Sequence, residues 1–317
     1  MNYLIHQKIE QFEKASNLTE KILKTAQCIE FTIYLYATIL YSETKAKNVV
    51  SNNIVNLILT SFYKKNALTS SWINLLKHSI DLLNIDAKYF DSETGYSIQV
   101  IAKKFLPNTS QKEILANPDL RTVLDSFSII RNKAFAHGIS ISQETAEFFE
   151  KNNFSRFCYK LCEYLEKITN GRILVSENTS ILDDGLTQFT FHDYSESIVR
   201  TVKIPVNEIE DFENLLSKSL YIYFAGEKKM ISTAPFIIHR DNAFCFYSGI
   251  DNKSIPNFVD FLNSMNHFTS KKHESSFKDL IQDEIDSLNL KPISIKLKRE
   301  NNVYHNIPNR LCCMNPA

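Results

Sequence analysis

The sequence predicts a multidomain chain, with an all-α helical bundle over residues 1–170 followed by an α+β domain over residues 171–317. Three observations carry this reading. Apolar residues recur at helical spacing through the first part, and the runs start and stop on capping residues. After Gly171 the texture changes to short alternating or β-branched runs separated by turn residues. A chain of 317 residues is also long enough to bury one large core or two ordinary ones.

In order, residues 4–16 read as a short amphipathic helix. Asn17 can cap the next helix, with Glu20 placed to complete a capping box. That helix runs to about Tyr41 and is apolar nearly all round over 29–41, so it is buried on several sides or faces a partner. Helical patterns follow at 50–65, 71–84 and 98–106, with a loop at 86–96 and a break at 108–110. The organising helix comes next. Asn117 is placed to cap it, Pro118 suits its first position and Asp119 complements its positive start. Leu120, Val123, Leu124, Phe127, Ile130 and Ala134 then recur at helical spacing, and Gly138 stands where a left-handed C-cap belongs. Ser142 can cap a further helix that kinks near Asn152-Asn153 and runs to Asn170-Gly171, with Phe148, Phe149, Phe154, Phe157, Leu161 and Leu165 on its apolar side. Strand-like runs follow at 173–175, 188–191, 197–204, 220–224, 235–239 and 244–247, with turn residues between them. Helical pieces are expected at 208–217, 258–266 and 276–288, and a last strand at 291–298. Residues 311–317 carry no pattern and read as a loose tail or the cut edge of a longer chain.

Composition narrows the function classes. Hydrophobic content of 44% and charged content of 23% are those of a globular protein, and the formal net charge is zero. Basic residues slightly outnumber acidic ones before residue 170 and the reverse holds after it. That asymmetry is too small to argue nucleic-acid binding, so an RNA contact needs a local patch. The most apolar stretch, 31–41, is too short to span a bilayer, and residues 1–10 carry no secretory apolar run. A cytoplasmic, reducing location is therefore expected. There is no Gly-rich phosphate loop, no HExxH, no GxSxG and no acidic metal cluster, which disfavours a nucleotide hydrolase, a metalloenzyme and a serine hydrolase. His239-Arg240-Asp241 resembles the catalytic triplet of protein kinases, but the Asn five positions on and a following Asp-Phe-Gly are missing.

The chemistry concentrates in Arg131-Asn132-Lys133-Ala134-Phe135-Ala136-His137-Gly138. A guanidinium offers a planar fork of donors matched to phosphate oxygens. An imidazole can take and return a proton near neutral pH. Asn132 can orient either partner. Positions six apart on an ideal helix lie about 120° apart around the axis, so either the last turn unwinds or a neighbouring chain brings a second copy of the pair across. The plainer reading is a surface Arg and a helix-terminal His that only complements the dipole.

Arg-Asn, four residues, then His, closing on Ala-His-Gly, resembles the signature of the HEPN superfamily, and RNKAFAHG is especially similar to the HEPN domains of bacterial abortive-infection proteins. Ser71-Trp72-Ile73-Asn74-Leu75-Leu76 is similar to the Trp-x-x-Leu-Leu segments of related domains. The resemblance covers residues 1 to about 170. It implies an all-helical homodimer and a metal-independent endoribonuclease toxin without a cofactor, with a role in anti-phage or abortive-infection defence. It assigns Arg131, His137 and Asn132 to a composite site where two signatures meet. The apolar residues 29–41 offer surface for such a dimer. Lys133, Lys103 and Lys104 are the candidate RNA contacts beside it. The competing reading is a non-catalytic RNA-binding or protein-interaction module that dimerises through the helical domain.

Two further groups need an account. The cysteines are Cys28, Cys158, Cys162, Cys245, Cys312 and Cys313. Cys158 and Cys162 share a helix face as buried thiols; they would be half of a metal site, but no His or Cys pair elsewhere has matching spacing, so no metal is expected. Trp72 reads as core or dimer interface rather than a base-stacking platform. The second domain has no recognisable catalytic set. Its aromatic-rich run, Phe236, Phe244, Phe246 and Tyr247, suits core packing or a partner surface, and the domain is expected to sense an unknown protein or ligand trigger, or to restrain the first.

Overall fold

The computed structural model describes residues 1–62, 68–106, 118–135, 141–181, 187–210, 219–240, 243–250, 256–262 and 266–269. Eight α-helices among these lie before residue 170: α1 (Tyr3–Glu13), α2 (Leu18–Ala46), α3 (Asn52–Leu57), α4 (Thr69–Leu82), α5 (Ser92–Lys104), α6 (Leu120–Ile130), α7 (Gln143–Lys151) and α8 (Phe154–Lys167). Local chemistry sets most of their ends. The Asn17 side chain accepts from the Glu20 amide at the start of α2, and the Ser142 side chain accepts from the Thr145 amide at the start of α7. Asn153 takes a left-handed φ of 57°, which Asn tolerates, and the expected kink is a full break between α7 and α8.

Two helix starts differ from expectation. The cap of α6 is Asp119, whose carboxylate accepts from the Thr122 amide while the Thr122 hydroxyl accepts from the Asp119 amide. The reciprocal pair draws the helix start inward, so Pro118 precedes the cap; Asn117 lies outside the described residues. The 86–96 segment is only partly a loop. It holds a 3-10 turn at Ala87–Tyr89, and α5 starts within it at Ser92, capped by the Asp91 carboxylate on the Glu93 and Thr94 amides.

The described residues beyond 170 form two antiparallel sheets. The first has the order β3-β2-β1-β4-β5, from β1 (Arg172–Ile181), β2 (Thr187–Asp193), β3 (Arg200–Pro205), β4 (Leu220–Phe224) and β5 (Lys229–Ser232). The second has the order β6-β7-β8-β9, from β6 (Ile237–Arg240), β7 (Ala243–Ile250), β8 (Pro256–Asp260) and β9 (Asn266–Thr269). The helix expected at 258–266 is therefore a correction. Phe258, Val259 and Asp260 pair with Tyr247, Phe246 and Cys245 across β7, and β9 pairs back on β8. The expected helix at 276–288 and strand at 291–298 lie outside the described residues, as does most of the one expected at 208–217.

α2 is the axis of the packing. Every residue from 31 to 44 on it is buried within the single chain. Thr25, Thr32 and Thr38 return their hydroxyls to the carbonyls of Lys21, Cys28 and Tyr34 at 2.8, 2.7 and 2.9 Å, which satisfies polar groups inside an apolar setting. α1, α4, α7 and α8 cover part of this helix, and strands of both sheets cover more of it. The Phe31 ring meets Phe246 at 5.1 Å, Tyr34 meets Phe261 at 5.4 Å, and Phe236 lies within 6 Å of Tyr41, Phe62 and Trp72. One contiguous core thus runs from the bundle into both sheets. The apolar run 29–41, read from sequence as buried on several sides or facing a partner, is buried within its own chain. The strands obey the period of two. Ile173, Val175, Ile222 and Phe224 face the helices, while Leu174 and Tyr223 join Phe189, Phe191, Ile204 and Ile209 in a smaller cluster on the opposite face. Phe236, Phe244, Phe246 and Tyr247 are all buried and pack the core.

Candidate functional site

α6 buries Leu120, Val123, Leu124, Phe127 and Ile130, but the helix does not carry on regularly past Ile130. Arg131–Phe135 form a π-helical turn, in which the backbone bonds reach one residue further than in an α-helix. The turn that bears Arg131 and Asn132 is therefore already loosened from α geometry. Asn132 and Lys133 are exposed on it, whereas Arg131 is drawn inward.

Arg131 Nε donates to Glu30 Oε1 on α2 at 2.7 Å. The same carboxylate oxygen accepts from Thr69 Oγ1, the first residue of α4, at 2.6 Å, and Thr69 shares a further hydrogen bond with the Tyr34 hydroxyl at 3.0 Å. Tyr34 stacks on Trp72 with ring centroids 4.7 Å apart. Burial works against the charge on Arg131, but the Glu30 carboxylate outweighs it and holds the guanidinium pKa above its ordinary value. Burial first, then the Glu30 charge, push the Tyr34 hydroxyl well above the usual phenol range, so Tyr34 acts as a neutral hydrogen-bonding group. Among the described residues, the two terminal nitrogens of Arg131 have no hydrogen-bond partner. The side chain is thus anchored at Nε and keeps the outer edge of its fork available.

His137 lies outside the described residues, as do Ala136 and Gly138. Lys103 and Lys104 end α5, where cations complement the helix dipole. The Lys104 ammonium sits 4.4 Å from the centroid of the Phe148 ring on α7, so it joins two helices. The end of α5 and the π-turn do converge: Phe149 on α7 meets Phe105 at 6.1 Å and Phe135 at 5.6 Å. The basic end of α5 therefore belongs to the same end of the bundle as Arg131. Trp72 is fully buried between Tyr34, Phe62 and Phe236 and offers no face to a base.

Sequence reasoning missed Glu30, Thr69 and Tyr34. The one available signal was Glu30 itself, a carboxylate adjoining the most apolar run in the chain, where a buried acid requires a partner. It also missed the third member of a thiol cluster. Cys28 on α2 meets Cys158 and Cys162 on α8, all three buried, with every Sγ within 4.8 Å of the other two. No helix among the described residues is long and apolar enough to cross a membrane. No family model, no curated protein and no solved structure matches the chain.

Proposed function

We propose that the chain is a metal-independent endoribonuclease of the HEPN type, acting in the bacterial cytoplasm in anti-phage or abortive-infection defence, with Arg131 and His137 as its catalytic pair. The observation that carries this reading is the setting of Arg131. Its guanidinium is fixed at Nε on a buried carboxylate, at a π-turn, with exposed Asn132 beside it and, among the described residues, no hydrogen-bond partner on its outer edge. A cation whose orientation is set before substrate arrives is what stabilisation of a charged phosphoryl transition state requires. In the mechanism, His137 removes the proton of a ribose 2′-OH, the freed oxygen attacks the adjacent phosphorus, and Arg131 stabilises the charge on the phosphoryl oxygens. The leaving 5′-oxygen takes up a proton, so the ends are a 2′,3′-cyclic phosphate and a 5′-hydroxyl. Asn132 positions the phosphate, and Lys133, Lys103 and Lys104 hold the RNA backbone. A homodimer in which Arg131 of one chain meets His137 of the other completes the site; with α2 covered by its own sheets, that dimer rests on the resemblance and on the six-residue offset.

The test is RNA cleavage by the full chain in chelator, compared with Arg131→Ala and His137→Ala. Both variants should lose at least a hundredfold in rate, and equal mixing of the two should restore part of it if the site is composite. Full activity of either variant alone, or strict dependence on added divalent metal, overturns the proposal. A specific observation favours the second reading, a non-catalytic RNA-binding or interaction module. The Glu30 carboxylate neutralises Arg131 and ties α6 to α2, which a purely structural Arg would also do. Salt-sensitive RNA binding without products, together with growth inhibition that His137→Ala fails to relieve, decides for that reading.

A further inference from the structure

The geometry points to a second site, independent of the first: Cys28, Cys158 and Cys162 form a buried cradle for one thiophilic d10 metal ion of the Zn²⁺ or Cu⁺ kind, with a structural role. Three features argue for it. The first is convergence. Cys158 and Cys162 stand four apart on α8 and so project from one face, and Cys28 arrives from α2 to close the triangle, every Sγ lying within 4.8 Å of the other two. A zinc–thiolate bond of about 2.3 Å sets sulfur atoms about 3.8 Å apart in a tetrahedral site. The three sulfurs therefore need to draw in by at most about an ångström, within the reach of small χ1 adjustments on two packed helices.

The second feature is the surroundings. Thr32, one turn beyond Cys28 on α2, places its hydroxyl oxygen 3.3 Å from Cys162 Sγ. It now donates to the Cys28 carbonyl at 2.7 Å, and by rotation can donate to an ionised sulfur instead, the kind of support that orients metal-bound thiolates. The third feature is dryness. All three cysteines are buried, and a thiolate in such a place is stable only against a cation. Loading replaces three S–H bonds by three metal–sulfur bonds and releases three protons, with no change of oxidation state. The ligands come from the two ends of the helical bundle's sequence, so the ion is taken up as the chain folds. Once bound, it clasps α2 to α8 two residues before Glu30.

The experiment uses the full chain, refolded under reducing conditions with Cd²⁺ as a spectroscopic stand-in, then with Zn²⁺, and with Cu⁺ in competition with a chromogenic chelator. One ion per chain is expected, with a cadmium–thiolate charge-transfer band in the ultraviolet and a melting temperature that rises on loading. Cys28→Ser, Cys158→Ser and Cys162→Ser should each weaken binding at least tenfold, with Cys158→Ala covering the case in which a buried serine prevents folding. Cys245→Ser, in β7 and outside the cluster, should bind as the parent does. Far-ultraviolet circular dichroism checks that each variant is folded. Absence of the charge-transfer band from folded parent protein overturns the site. So does binding that survives all three substitutions, or a native disulfide between any two of the three cysteines. None of these readouts involves RNA, so the site stands or falls apart from the proposed nuclease activity.

Discussion

A carboxylate inside a helical core is stable only where its charge is met, and Glu30 Oε1 is met by both Arg131 and Thr69. Each partner constrains the rest: Thr69 fixes the oxygen that fixes Arg131 Nε. Glu30→Gln keeps the shape and one acceptor but removes the charge that holds the guanidinium. We expect it to cost about 1–3 kcal/mol in denaturant unfolding, the range for a charge-assisted bond in a part-buried site, and to lower RNA cleavage more than tenfold. Arg131→Lys should lose cleavage to a similar extent while retaining most of the stability, because a point ammonium can meet Glu30 but cannot also present a fork. At this scale Arg131 was legible from its motif. Glu30 was not, because its partner is 101 positions away and no local period relates them. Cys28 was hidden for the same reason: it stands alone in sequence, and only the packing of α2 on α8 gives it neighbours.

Between elements, the close approach of α5 and α6 depends on Gly95. A Cβ there would stand 2.5 Å from Pro118 Cβ and 3.2 Å from a Val123 methyl, so a side chain forces the two helices apart. Gly95→Ala should therefore destabilise by about 1–3 kcal/mol despite its better helix propensity, read as a fall in melting temperature. Glu150 makes a different kind of junction. Near the end of α7 it accepts from Lys21 Nζ of α2 at 2.6 Å and from Ser155 Oγ of α8 at 2.7 Å. Burial tends to raise its pKa, but these two partners win and hold it below the ordinary carboxylate value. The stabilisation is therefore present above the ordinary Glu range and disappears as pH falls through the depressed value. Glu150→Gln should cost less than about 1 kcal/mol at pH 7, since the pair is a third exposed, and nothing measurable at the acid end of a stability–pH profile. The caps at Asn17 and Ser142 were legible because their causes lie within three residues, as was an interruption at Asn152-Asn153, though it was read as a kink rather than the full break it is. The β8–β9 hairpin was not. Phe258, Val259, Phe261 and Leu262 fall at helical spacing, and the pairing of Phe258, Val259 and Asp260 with β7 overrides it.

For the whole molecule, the change of texture at Gly171 marks where helices give way to strands, but the packing does not stop there. Texture reports the period of each element and says nothing about docking, which is why the shared core was invisible in the sequence. Phe31, Tyr34, Tyr41, Phe62 and Trp72 all pack against rings from beyond residue 230. A fragment ending at Gly171 would expose this aromatic face to water, a contiguous patch of the kind that drives aggregation. We expect such a fragment to be insoluble or to lack near-ultraviolet circular dichroism; a soluble fragment with a cooperative melt would refute this. If the sheets restrain or trigger the proposed nuclease, the signal has a direct route, since they bear on the same helix that carries Glu30. Restraint is then better probed by substitutions at exposed positions such as Ile198 than by removing the region.

The central position of α2 also gives the protein a temporal problem. This helix is made within the first fifty residues, yet the strands that cover its far side are synthesised roughly 200 residues later, about 10–40 s at bacterial translation rates of about 5–20 residues per second. Throughout that interval the nascent chain presents Phe31, Tyr34 and Tyr41 uncovered. If the proposed nuclease reading holds, the end of the bundle that bears Arg131 is fully supported only after the last strand covering α2 has been made.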